Sequence, residues 1–166
     1  MNSATGRGDF DFMIGSWSVK HRRLNSRLTG CTDWTEFEGT STTRKVLAGS
    51  GNVEDNYLEF PAGPYAAIAV RSYDPATSSW AIWWLDGRAP HSLDKPVVGS
   101  FTDDVGEFYA EDTFEGKNIR IRFLWRKLGP NAAQWDQAFC IVGESEWETN
   151  WTMQFSRIAG EAQWPI

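Results

Sequence analysis

The chain is poor in the residues that build metal and nucleophile chemistry. Its 166 residues include 2 cysteines and 2 histidines. Cys31 and Cys140 form no C-x-x-C pair, and so few histidines assemble no zinc-type cluster. Two reduced thiols are expected, with one disulfide as the alternative for an exported chain. No apolar run reaches the length of a membrane span, so no membrane partner is expected. The stretch from Met1 to Asp9 is polar and lacks the apolar core of a secretion signal, so a cytoplasmic location is expected. Cations are also in deficit. Lys and Arg number 16 against 22 Asp and Glu, a formal net charge of −6. The densest basic run, Lys20-His21-Arg22-Arg23, lies inside a strand pattern that divides it between two faces. No nucleic-acid partner is therefore expected. Nucleophile elbow, P-loop and dinucleotide fingerprint are all missing, and no cofactor is expected.

Tryptophan is what the chain has in excess: 10 residues, with aromatics at 14%. Each indole buries a large area and carries a donor that wants a partner, so this density points to an aromatic-lined interior. Short alternating runs account for most of the chain. They fall at Trp17 to Leu24, Trp34 to Thr43, Asn52 to Phe60, Tyr65 to Tyr73, Trp80 to Asp86, Val97 to Phe101, Glu107 to Phe114, Ile119 to Leu128, Gln134 to Ile141 and Trp147 to Arg157. Turn signals separate them every eight to twelve residues or so, the spacing of an all-β sandwich or barrel. No helical period is sustained. The expectation is one domain over 1–166, a closed antiparallel up-and-down barrel of about ten strands. The apolar cluster Phe10 to Ile14 is too short for a stable helix and reads as one turn plugging a barrel end.

Gly15-Ser16-Trp17, preceded by that turn, resembles the G-x-W element of calycins, the superfamily of lipocalins and fatty-acid-binding proteins. The resemblance implies that Trp17 lies across the barrel bottom and packs on an arginine of the last strand, here Arg157. The whole chain is similar to a bacterial family of lipocalin-like domains. The residues that carry the likeness are Phe10 to Trp17, Arg71 to Pro75, Trp80 to Asp86 and Glu148 to Arg157. That likeness implies a fold and brings no activity with it.

Side-chain parity selects the candidate site. His21 and Arg23 share a face with Trp17 and should point inward. Buried together, they need partners, such as Asp55 or Glu36, or else a ligand. In the third strand Asp55 and Tyr57 share a face and are candidates for lining the cavity. Gln137, between Trp135 and Phe139, offers a polar contact. Trp125 and Trp151 belong to inward sets in their strands, and the last strand's set also includes Trp147 and Thr149. Arg71 and Arg122 sit on faces that alternation leaves ambiguous; Arg122 enters only if a bulge shifts its phase. Trp83 and Trp84 must point to opposite faces. Trp84 is assigned to the cavity, and the outward indole suggests a homodimer interface or a packed N-terminal arm.

The function this supports is binding of a small, largely apolar molecule with a polar or acidic end inside the barrel. One alternative is an isomerase, cyclase or hydrolase using His21 as acid or base and Arg23 as anion stabiliser. A further alternative is a haem-binding barrel with His21 as the ligand. Arg7-Gly8-Asp9 matches an adhesion tripeptide and Asn150-Trp151-Thr152 a glycosylation sequon; neither is expected to act as one.

Overall fold

The structure, a computed structural model, describes residues 6–159. Residues 1–5 of the polar N-terminal stretch lie outside the described residues. The ten strands are β1 (Gly15–Leu24), β2 (Trp34–Val46), β3 (Gly51–Leu58), β4 (Tyr65–Asp74), β5 (Ser79–Asp86), β6 (Val97–Thr102), β7 (Val105–Phe114), β8 (Lys117–Gly129), β9 (Ala132–Ile141) and β10 (Glu148–Arg157). Each pairs antiparallel with its neighbours in sequence, and β1 pairs with β10 to close the barrel. Closure leaves no strand edge open to another chain. The β7–β8 connection shows why such tight links form. Glu115 and Gly116 both have positive φ, 47° and 78°, the backbone twist that a two-residue hairpin needs.

One end of the barrel is plugged. The 3-10 turn Asp11–Met13 precedes β1, with Phe10 and Met13 fully buried. The Phe10 ring sits edge-on to Trp80, Phe101 and Trp125 at 5.0, 4.9 and 5.8 Å. Trp17 donates its indole N–H to the Met13 carbonyl at 3.0 Å, and Arg157 lies 4.1 Å over its ring. Gly15 is required here. Its φ is +125°, and a Cβ would stand 2.5 Å from Arg157 Nη1.

Two local features override simple alternation, and a third thins the wall. On β3 the inward residues are Asn52, Glu54, Asn56 and Leu58. Asp55 and Tyr57 therefore face outward, contrary to the parity expectation, and Tyr57 is 48% exposed. Both faces of β3 carry polar residues, so alternation had no contrast to read. In β10 the register against β9 shifts between Thr149 and Trp151, with Asn150 as the extra residue. Beyond the bulge the phase inverts. Thr149 pairs with Ala138 and Glu148 pairs with Phe139. Trp147 belongs outside the barrel for the same reason, packed with Tyr109, Arg120 and Arg122. The third feature is a weak seam. The β5–β6 ladder has only Trp80↔Gly99, Ala81↔Val98 and Ile82↔Val97. Above it the loop 87–96 follows β5 through a Leu85–Leu93 bridge and an Asp94 N–H to Trp84 carbonyl bond of 3.1 Å. Among the described residues no helix is long and apolar enough to cross a membrane.

Candidate ligand-binding site

The barrel interior has two halves. The plugged half holds a charged core. Arg71 is 1% exposed and hydrogen bonded to Glu54, itself 2% exposed, and to Asn52 Oδ1 at 2.9 Å. Its guanidinium also lies 4.9 Å from the Phe10 ring and 5.1 Å from Trp125.

The other half is hollow. A cavity of about 390 Å³ is walled by Trp84, Phe123, Trp135, Phe139 and Trp151, with Arg23, Arg27 and Gln137 also lining it. The indoles lock one another edge-on: Trp84 and Trp135 meet Trp151 at 5.7 and 5.1 Å, both at 89°. Gln137 donates to Asn150 Oδ1 at 2.8 Å. Asn150 is fully buried, so the sequon is closed to a glycan.

Arg23 is held almost entirely by aromatic rings. Its guanidinium lies 4.0 Å from the Trp151 centroid, 5.1 Å from Phe60 and 5.6 Å from Phe37. Nη2 donates to the Tyr65 hydroxyl at 2.6 Å. Nε is buried with no partner, and among the described residues no carboxylate reaches ion-pair distance. Asp86, nearby, is taken by Arg88 at 2.7 Å. Burial pushes the Asp86 carboxyl up, but the Arg88 hydrogen bonds and the charges of Arg88 and Arg23 outweigh it and leave the pKa below the ordinary value. Arg88 itself lies 3.6 Å over the Tyr65 ring. In the same loop burial raises the Asp94 pKa, helped by Asp112 and Asp86.

His21 supports this arrangement from behind. It is 3% exposed and stacked on Phe37 at 4.5 Å. Its Nδ1 accepts the Trp151 indole N–H at 3.1 Å. An indole N–H only donates, so Nδ1 is bare and the proton sits on Nε2. Burial, then the charge of Arg23, lowers its pKa to about 3. Nε2 faces the β2 wall, 3.1 Å from where a Cβ on Gly39 would stand. The imidazole is thus a neutral strut for Trp151, and neither nitrogen is presented to the cavity as a proton carrier or an axial metal ligand.

No protein-family model and no curated protein matches this chain. Solved structures do. The crystal structure of Rv2717c from M. tuberculosis is similar at 12% identity with a TM-score of 0.60, over 95% of this chain and 99% of that one. The S-type phycobiliprotein lyase CPES from Guillardia theta is similar at 10% identity with a TM-score of 0.59, over 95% of this chain and 94% of that one. The fold is calycin-like.

The calycin-like barrel brings four of the residues expected from parity to its cavity: Arg23, Trp84, Gln137 and Trp151. The other six lie elsewhere. His21 stands behind Trp151 rather than at the cavity surface. Arg71 and Trp125 belong to the plugged half, where Trp125 packs on Phe10, Phe12 and Phe155. Asp55 and Tyr57 are on the outer face, and Arg122 lies outside over Trp147 at 4.6 Å. A bulge does occur in β8, but between Lys127 and Gly129, past Arg122, and leaves its phase unchanged. Glu36, a suggested internal partner, pairs outside with Arg22 at 3.2 Å. Arg27, Tyr65, Asp86 and Arg88 were missed. Tyr65 was readable, because Tyr65, Ala67, Ala69, Arg71 and Tyr73 are one inward set. Arg27 and Arg88 sit in loops, where no periodicity marks a direction.

Proposed function

We propose that this barrel binds a small, largely apolar molecule by its acidic end, with Arg23 as the anchor. The observation that carries the reading is the Arg23 guanidinium at a hollow, aromatic-walled cavity, its Nε buried and unpartnered. A guanidinium with an unmet buried donor and no carboxylate partner has lost solvation that its contacts do not replace, and a ligand oxygen on its cavity side would offset that cost. Indole and phenyl walls suit a flat apolar body, and one or two placed polar groups set its orientation. Neutral, sequestered His21 weighs against the acid–base and haem alternatives. We further propose a cytoplasmic setting, in which the free thiols of Cys31 and Cys140 stay reduced.

The test is native mass spectrometry of the protein as purified, followed by titration of wild type and Arg23→Gln with 1-naphthoate. A co-purified acid and a loss of about tenfold or more in the variant are expected, as for truncation of one partner of a buried charged contact. Equal affinity in the two proteins would overturn the anchor.

A further inference from the structure

A second guanidinium lines the same cavity, and a bulge in the last strand puts it there. Arg27 lies in the β1–β2 loop, beyond the strand pattern. The next residue, Leu28, has φ of +60°, a conformation that a γ-branched side chain adopts only when its surroundings impose it. What imposes it is Glu148, whose Oε1 accepts the Leu28 N–H at 2.7 Å. Glu148 is on the inner side because the extra residue Asn150 inverts the phase of β10, setting Glu148 opposite Phe139. The folded loop carries Arg27 into the cavity mouth, its Cζ 5.3 Å over the Phe139 ring.

The cavity lining carries four cations, Arg23, Arg27, Arg88 and Lys95, against three carboxylates, Asp86, Asp94 and Asp112, a positive excess in a chain whose formal net charge is −6. Arg23 bonds the Tyr65 hydroxyl and Arg88 covers the Tyr65 ring. The Arg27 pKa is lowered to about 10, first by burial and then by the charge of Arg23, with Tyr65 and Glu148 partly opposing. Two of the cavity's cations are already matched: Arg88 by Asp86 and Lys95 by Asp112 at 3.8 Å. Arg23 and Arg27 have no carboxylate at ion-pair distance among the described residues. Two desolvated guanidiniums repel each other; Asp94, the remaining lining carboxylate, is at ion-pair distance from neither, and an anion with two charges can meet both where a singly charged group meets one.

We infer that the acidic end of the ligand is a dianion, a phosphate monoester or paired carboxylates on an aromatic body, shared between Arg23 and Arg27. This rests on the acid-binding reading above and narrows it. Forked N–H pairs match the oxygens of such a group, and charge-assisted hydrogen bonds are the strong ones.

The experiment is calorimetric titration of the full chain at pH 8 with 1-naphthol, 1-naphthoate and 1-naphthyl phosphate, which share one ring system. Affinity should rise in that order, the phosphate exceeding the carboxylate by about tenfold, as one added charge-assisted contact gives. Arg27→Gln should erase the preference for phosphate over carboxylate, whereas Arg23→Gln should weaken both anions. Wild type binding phosphate no tighter than carboxylate would overturn the inference, as would a phosphate preference that survives Arg27→Gln. A carboxylate that binds no tighter than naphthol and ignores Arg23→Gln would overturn the acid-binding reading itself. No saturable binding of any probe would overturn both.

Discussion

Arg157 holds three segments of the chain onto one indole. Its guanidinium lies 4.1 Å over Trp17, while its nitrogens donate to the carbonyls of Ile14, Phe12 and Pro130 at 2.6, 2.7 and 3.0 Å. The end of β10, the N-terminal turn and the β8–β9 turn thus share one cap. Trp17→Ala should cost about 3–5 kcal/mol, the range for losing a buried aromatic. Gly15→Ala should also destabilise, since its Cβ meets Nη1 at 2.5 Å and its φ is +125°. Urea unfolding of both variants checks this; a loss under about 1 kcal/mol for Trp17→Ala would contradict the cap's role.

The plugged half depends on a buried charge being matched. Glu54 and Arg71 have side chains 2% exposed and bond each other directly. Glu54→Gln should destabilise by about 3–5 kcal/mol, because Arg71 is left charged and uncompensated. The double change Glu54→Leu with Arg71→Met should lose much less than the two single losses added. Additive losses in that cycle would show the pair is not coupled.

Acid should weaken the fold through His21. Its native pKa is held near 3 against an ordinary 6.5. Below pH 6.5 the unfolded chain takes up a proton that the native imidazole refuses, so stability falls as pH drops toward 3. The share due to this one group approaches about 1.4 kcal/mol per pH unit. His21→Gln keeps an acceptor for the Trp151 N–H and removes the titration. Unfolding free energy between pH 4 and 6 should slope less steeply in the variant than in wild type, and parallel slopes would refute the burial of a neutral imidazole.

The outer face near the seam should mediate self-association. Trp83 is the outward member of its pair, cross-strand from Val70, while Leu85 stands opposite Ile68 and bridges to Leu93, which is 59% exposed. A homodimer is expected at micromolar concentration in sedimentation velocity, with Trp83→Glu shifting it to monomer. A wild type that sediments only as an 18.8 kDa species would exclude this interface.

The barrel was legible because its strands advertise themselves. Alternation in β1 and in β10 from Trp151 onward, with turns between, located ten strands, and the resemblance of Gly15-Ser16-Trp17 to the G-x-W element implied the Trp17–Arg157 contact. The site was legible where one face is apolar and the other polar, as with Arg23, Gln137 and Trp151; Trp84 is on a strand apolar on both faces and was assigned to the cavity as one of the pair Trp83 and Trp84. In β3 the inner face is Asn52, Glu54 and Asn56, stabilised by a partner on β4 that alternation cannot see. The Asn150 bulge inverts the far end of β10 without any glycine or proline to mark it. Arg27 depends on that bulge and on the bond from the Leu28 N–H to Glu148, which joins residues 120 positions apart.

The three-pair ladder between β5 and β6 sets where this molecule breathes. Everywhere else the wall is stitched by longer ladders, up to ten pairs between β7 and β8. Backbone amides from Trp83 to Asp86 and those of the flanking loop should therefore exchange with deuterium long before the amides of β8 and β9. Those early-exchanging residues border the cavity through Trp84 and Asp86. The side of the barrel, rather than its mouth alone, is then the stretch that an occupant would slow when it binds.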